Sequence, residues 1–351
     1  MRVLVWHVHG SWLTAFVQGP DTYLLPVLPD RGPDGQGRAR TWDWPASAVE
    51  VTPEALATEE VDVVVLQRPE ELALVERWTG RRPGVDVPAV YVEHNTPHGT
   101  AGAAQHPAVE ARHPLAGRSD VPVVHVTHFN QLVWDCGRAP TTVIEHGVVD
   151  PGPRYTGERE RVGAVVNEPV RRGRVAGTDL LLTFAEHVPV EVYGMGMRAL
   201  GELSRAAAQG LAPDDRRDPL GPPDAPGPLA GLADHLHDDV PQDEMHTRLA
   251  QARAYLHPYR WTSLGLSLVE AMALGMPVLA LATTAAPESV PAAAGHVSND
   301  LDALVATARR WLHDPDEARA VGAAGRRHAL ARFGLDRFLS DWQVLMKEVT
   351  R

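Results

Sequence analysis

Tyr259-Arg-Trp-Thr-Ser-Leu-Gly-Leu-Ser-Leu-Val-Glu-Ala-Met-Ala-Leu-Gly-Met-Pro-Val-Leu-Ala280 is the stretch from which the fold of this chain is read. A strand ends at His257-Pro258, a short loop carries Gly265, a helix follows, and a second apolar run begins at Pro277. The first backbone N–H groups of a helix have no partner within it, and they carry the positive end of its dipole. The turn Gly265, Leu266, Ser267 to Leu268 is therefore a ready site for phosphate oxygens, with Gly265 permitting close approach. Glu270 is expected in the first turn of that helix, where its carboxylate would accept from the two hydroxyls of a ribose. Stabilising the helix N-terminus is the plainer role open to it.

The same alternation extends outward. Toward the N-terminus, short apolar runs recur at Arg2 to Trp6, Val61 to Leu66, Ala89 to Val92, Val121 to Val126 and Thr141 to Ile144. Fully apolar strands of this length, separated by helical or loop connections, mark a buried parallel sheet. A charged, Pro/Gly-rich stretch from Asp150 to Arg161 interrupts the pattern. It restarts at Val162 to Asn167, Val190 to Tyr193, Ala254 to Leu256 and Pro277 to Leu281, which implies a second α/β domain. Gly210 to Pro228, dense in Pro, Asp and Gly, reads as an exposed loop. Leu301 to Leu312, Pro315 to Phe333 and Asp336 to Val349 carry apolar residues at helical spacing.

Composition bounds the function. A chain of 351 residues, 44% hydrophobic, is long enough for two cores. The net charge of −12 without a basic run argues against nucleic acid, because phosphate binding needs clustered Lys and Arg. Cys136 is the single cysteine, so no intrachain disulfide forms and no Cys-based metal spacing exists. No apolar run is long enough to span a bilayer, and Met1 leads directly into a strand. The expectation is a cytoplasmic protein without an integral membrane segment, with room for a peripheral membrane contact.

Residues Gly265, Leu266, Glu270, Ala271, Met272, Ala273, Gly275, Pro277, Val278 and Ala280 resemble the donor-nucleotide motif of retaining glycosyltransferases of family four (glycosyl transferases group 1), which have the GT-B fold. Val240-Pro-Gln-Asp-Glu-Met, Pro287-Glu-Ser-Val, Val143-Ile-Glu-His-Gly-Val-Val-Asp150 and Val124-His-Val-Thr-His-Phe-Asn130 are similar to further family segments. The resemblance implies two Rossmann-like α/β domains facing across a cleft. Residues 1–155 would form the acceptor domain and 156–330 the nucleotide-sugar donor domain, with 331–351 a C-terminal helix crossing back to the first. It also implies sugar transfer from a nucleotide sugar, a UDP- or GDP-sugar, with retention and without metal or cofactor. The acceptor is then a carbohydrate, a lipid-linked sugar or a small molecule. A non-catalytic nucleotide-sugar binding protein and an epimerase of the same architecture are the alternatives.

The chain departs from that pattern at several places. Thr262 stands where the family has the glutamate that contacts the donor sugar, which leaves Thr262, Ser263 and Leu264 as donor-sugar candidates. Ala176 stands at a lysine position, so Arg171, Arg172 or Arg174 would supply the cation for the diphosphate, with Arg172 the catalytic candidate. The family's Gly-Gly after the first strand is reduced here to Gly10. His7 and His9 alternate at strand spacing and should point the same way, with His9 a candidate for the acceptor. His94 is the first candidate for a catalytic histidine near the donor sugar or its phosphate, and His98 the second, also as an acceptor residue.

Overall fold

The structure, a computed structural model, describes residues 1–40, 42–97, 111–208 and 232–351. The chain divides into two compact units, Met1–Val149 with Phe333–Arg351, and Asp150–Arg332. The divisions fall at Val149/Asp150 and Arg332/Phe333, where the sequence reading set them at 155/156 and 330/331.

In the first unit, strands β1 (Arg2–Val5), β2 (Thr22–Pro26), β3 (Ala48–Val51), β4 (Val63–Leu66), β5 (Ala89–Glu93), β6 (Val123–His125) and β7 (Thr141–Val143) form one sheet. Its order is β3-β2-β1-β4-β5-β6-β7, and every neighbouring pair is parallel. Val63, Val64, Val65 and Leu66 are all buried, as a central strand covered on both faces requires. The C-terminal helix Leu335–Val349 belongs to this unit. Its Trp342 lies edge-on to Trp12 and Phe16 at centroid distances of 5.6 and 5.1 Å, and Phe338 meets Trp12 at 6.2 Å. Such aromatic pairs add about 0.5–1.5 kcal/mol each beyond their burial, so helix Gly10–Phe16 and the C-terminal helix are joined by a strong apolar seam.

In the second unit, β8 (Arg159–Val165), β9 (Val190–Gly194), β10 (Leu236–Asp238), β11 (Ala252–His257), β12 (Val278–Ala280) and β13 (Gly295–Val297) are ordered β10-β9-β8-β11-β12-β13, again parallel. Chain order reverses between β8 and β11, which is the Rossmann arrangement. In open sheets of this kind ligands bind beyond the carboxyl ends of the strands at that switch. The first unit has the equivalent reversal between β1 and β4. Apolar runs alone do not announce β2, β3, β10 or β13. β3, β10 and β13 are edge strands of mixed composition, and β2 is closed by Pro26.

Candidate functional site

Two loops leave the second sheet at its switch point. After β8, the backbone N–H of Asn167 donates to the Tyr259 hydroxyl at 3.3 Å, and the Asn167 side-chain oxygen accepts from the Met195 backbone at 3.0 Å. Glu168 then adopts a left-handed conformation (φ 55°) that admits helix Pro169–Ala176, and this helix kinks at Gly173. At Gly177 (φ 73°) a Cβ would lie 2.0 Å from the Pro258 carbonyl oxygen, so glycine alone lets this loop seat against the one that follows β11.

That seating separates the three arginines. Arg172 lies over the Tyr259 ring at 5.2 Å. Arg174 is bound to Asp179 at 2.7 Å, and Arg260 reaches the same carboxylate at 2.7 Å and the Arg174 carbonyl at 3.0 Å. Arg171 turns outward, 72% exposed, beside Glu168 at 3.5 Å. Arg172 is thus the cation directed at the end of β11. Burial pushes the His257 imidazole down to about 3, and the Arg172 charge adds to this, so the ring is neutral.

Gly265 packs on that ring, since a Cβ there would fall 2.4 Å from His257 Cε1. Its extended backbone (φ −69°, ψ 122°) starts helix Leu266–Leu274, whose N-terminus receives no side-chain cap. The Tyr255 hydroxyl donates to Ser267 Oγ at 2.9 Å, holding that turn from below. The preceding loop is tied down as well: the Ser263 carbonyl accepts from Ala285 N–H at 3.3 Å, Ser263 and Leu264 are buried, and Thr262 is half-buried.

Glu270 is not in the first turn. The helix begins at Leu266, so Glu270 is its fifth residue, one turn away from the free N–H groups. Its buried carboxylate instead meets helix Gln242–Leu249: Gln242 Nε2 donates to one oxygen at 2.9 Å and His246 Nε2 faces the other at 3.4 Å. Sequence reading passed over Gln242 and His246, although their i, i+4 spacing on one helix was a signal that both share a face.

In the first unit, β1 ends at Val5, and His7 and His9 do not share a direction of contact. His7 Nδ1 lies 3.0 Å from the Gly37 carbonyl and its ring 4.9 Å from that of Trp44, whereas the His9 ring is 4.0 Å from that of His94. The turn into helix Gly10–Phe16 breaks the strand period on which the shared direction rested. Gly10 faces the Trp42 indole, which a Cβ would approach to 2.1 Å. His94 also stacks on His146 at 6.4 Å and meets Trp12 edge-on at 5.1 Å. Burial first, then the neighbouring His9 and His146, hold His94 well below the ordinary imidazole range, and burial lowers His9 to about 4. His146 was not among the sequence candidates. Two carbonyls of its segment, those of Glu145 and His146, accept from Arg337 of the C-terminal helix. His98 lies outside the described residues. Among the described residues no group of three or more His, Cys, Asp or Glu side chains is arranged to hold a metal ion.

Residues 234–328, which contain Gln242, His246, Gly265 and Glu270, match the family described as Glycosyl transferases group 1. The chain is 30% identical over 169 residues to the MMP alpha-(1->4)-mannosyltransferase of Mycolicibacterium hassiacum, covering 46% of this chain and 41% of that protein. It is 34% identical over 118 residues to a GDP-mannose-dependent monoacylated alpha-(1-6)-phosphatidylinositol monomannoside mannosyltransferase of Corynebacterium glutamicum, covering 31% and 29%. The chain thus spans less than half the length of these curated relatives. Sucrose-phosphate synthase from Thermosynechococcus elongatus shares the fold with a TM-score of 0.70 at 14% identity, over 99% of both chains. Anabaena HepE, solved in complex with UDP, has a TM-score of 0.66 at 14% identity over 99% of this chain and 100% of that one. The fold is therefore GT-B, two Rossmann-like α/β units in one chain.

Proposed function

We propose that this protein is a glycosyltransferase that moves a sugar from a nucleoside diphosphate sugar to an acceptor hydroxyl. One observation carries the reading. At the carboxyl ends of β8 and β11, an uncapped helix N-terminus and the Arg172 guanidinium lie around the neutral His257 and Tyr259 rings, and the same helix presents the buried carboxylate of Glu270. Backbone N–H groups and a guanidinium suit a diphosphate, and a carboxylate suits the hydroxyls of a ribose.

The bond between the anomeric carbon and the diphosphate oxygen breaks, and its electron pair leaves with the diphosphate. Arg172 and the helix N-terminus at Gly265, Leu266 and Ser267 stabilise that charge, which is the main catalytic contribution of such a site. The acceptor oxygen attacks from the face the diphosphate leaves, its proton passes to a diphosphate oxygen, and the anomeric configuration is retained. Neither metal nor cofactor takes part. Thr262, Ser263 and Leu264 border the donor sugar. The acceptor is a carbohydrate, a lipid-linked sugar or a small molecule. GDP-mannose is the first donor to test, by likeness to the mannosyltransferases, with UDP-glucose second.

Calorimetry against UDP, GDP, ADP and dTDP and their sugar conjugates tests the site, and transfer assays in the presence of EDTA test the chemistry. Selective binding is expected, and Glu270→Ala should weaken it about ten-fold or more through loss of a charge-assisted contact. Failure of every nucleotide to bind would overturn the proposal.

A further inference from the structure

We infer that Gln242 and His246 are positioning residues that make the site selective for ribonucleotides over 2′-deoxyribonucleotides, acting through Glu270. The inference rests on the donor-site reading given above and deepens it.

Glu270 projects from helix Leu266–Leu274 into a place where it is 9% exposed. A carboxylate there holds a single orientation only if its oxygens are hydrogen-bonded. Two residues supply this, one per oxygen: Gln242 Nε2 at 2.9 Å and His246 Nε2 at 3.4 Å. They stand four apart on helix Gln242–Leu249 and so share one face of it. Each carboxylate oxygen has two acceptor directions, and one donor per oxygen leaves the second direction of each unused. The pair therefore fixes the plane of the carboxylate without consuming its capacity to accept from two vicinal hydroxyls. With either donor removed, the carboxylate turns about its last torsion and the two remaining directions no longer match a ribose.

Binding of UDP and GDP is compared with binding of dUDP and dGDP in the wild type and in Gln242→Ala, His246→Ala, His246→Gln and Glu270→Ala, with melting temperatures recorded for each. The wild type is expected to prefer the ribonucleotide by about ten-fold, the worth of one good hydrogen bond to a charged group. Gln242→Ala and His246→Ala should each reduce that preference to about three-fold or less. His246→Gln, whose amide nitrogen can replace Nε2, should restore most of it. Glu270→Ala should abolish it. A merely structural role would lower the melting temperature and weaken both nucleotides equally, leaving their ratio unchanged, and that result would overturn the inference. If Glu270→Ala removes the preference while Gln242→Ala and His246→Ala keep it, the donor-site reading stands and the positioning role fails. If the wild type binds no nucleotide, the donor-site reading itself fails and the inference falls with it.

Discussion

Gly177→Ala should damage stability and nucleotide binding together, although residue 177 is assigned no contact with a ligand. Two costs add at this position. Its backbone has φ 73°, where alanine is disfavoured by about 1 kcal/mol relative to glycine. The new Cβ would also lie 2.0 Å from the Pro258 carbonyl oxygen, whereas ordinary contact begins near 3.4 Å, so the backbone at 258 must retreat by more than an ångström. Overpacking of that kind costs about 1–3 kcal/mol, giving a total of about 2–4 kcal/mol. Pro258 sits between His257 and Tyr259, so the same retreat displaces the rings on which Gly265 and Arg172 rest. Urea unfolding followed by circular dichroism measures the first effect. With a slope of about 2–3 kcal/mol/M, the midpoint of the second unit should fall by about 1 M. Calorimetry with the best-binding nucleotide measures the second. Gly152→Ala is the control, because Gly152 has φ 83° but open space around it, and it should cost only the backbone term of about 1 kcal/mol. A Gly177→Ala protein with an unchanged midpoint and unchanged affinity would refute the packing argument.

Arg172→Ala should weaken nucleotide diphosphate binding by about ten-fold or more, while the outward-facing Arg171→Ala stays within about two-fold; equal losses from both would show that Arg172 has no privileged place. Stability should also fall in mild acid. Burial lowers His125 to about 4 and His257 to about 3, from 6.5 when unfolded, so between those values the unfolded chain binds protons that the folded chain does not. These two groups contribute their full stability above pH 6.5 and lose it as pH falls toward 4 and 3, at up to about 1.4 kcal/mol per pH unit each. Melting temperatures from pH 8 to pH 4 should show the decline, and His125→Gln should make it shallower. A variant as steeply pH-dependent as the wild type would count against the assignment.

Much of the fold is written locally. Val63 to Leu66 and Ala254 to Leu256 are fully apolar and buried, and runs of that kind are visible in a short window, whereas Arg253 in the same strand as the second run is buried against the distant carbonyls of Gly157 and Leu312. The start of helix Leu266–Leu274 is equally local, since the glycine before Leu-Ser-Leu-Val-Glu-Ala-Met sets where the first free N–H groups fall. What the sequence reading misjudged was the reach of the first turn: with the helix starting at Leu266, Glu270 is its fifth residue and lies one turn on.

Sequence by itself determined two α/β units, the helix start after Gly265 and the buried strands that frame it, because these follow from backbone conformation and from the period of apolar side chains. The tertiary structure alone set the three arginines apart, since Arg171, Arg172 and Arg174 are alike in the sequence and differ only once Glu168, Tyr259 and Asp179 have packed beside them. It alone set Gln242 and His246 on Glu270 and gathered His9, His94 and His146, because those contacts join residues far apart along the chain. Such contacts are fixed by how helices and loops close over the sheets, and no periodicity within either segment encodes the distance between them.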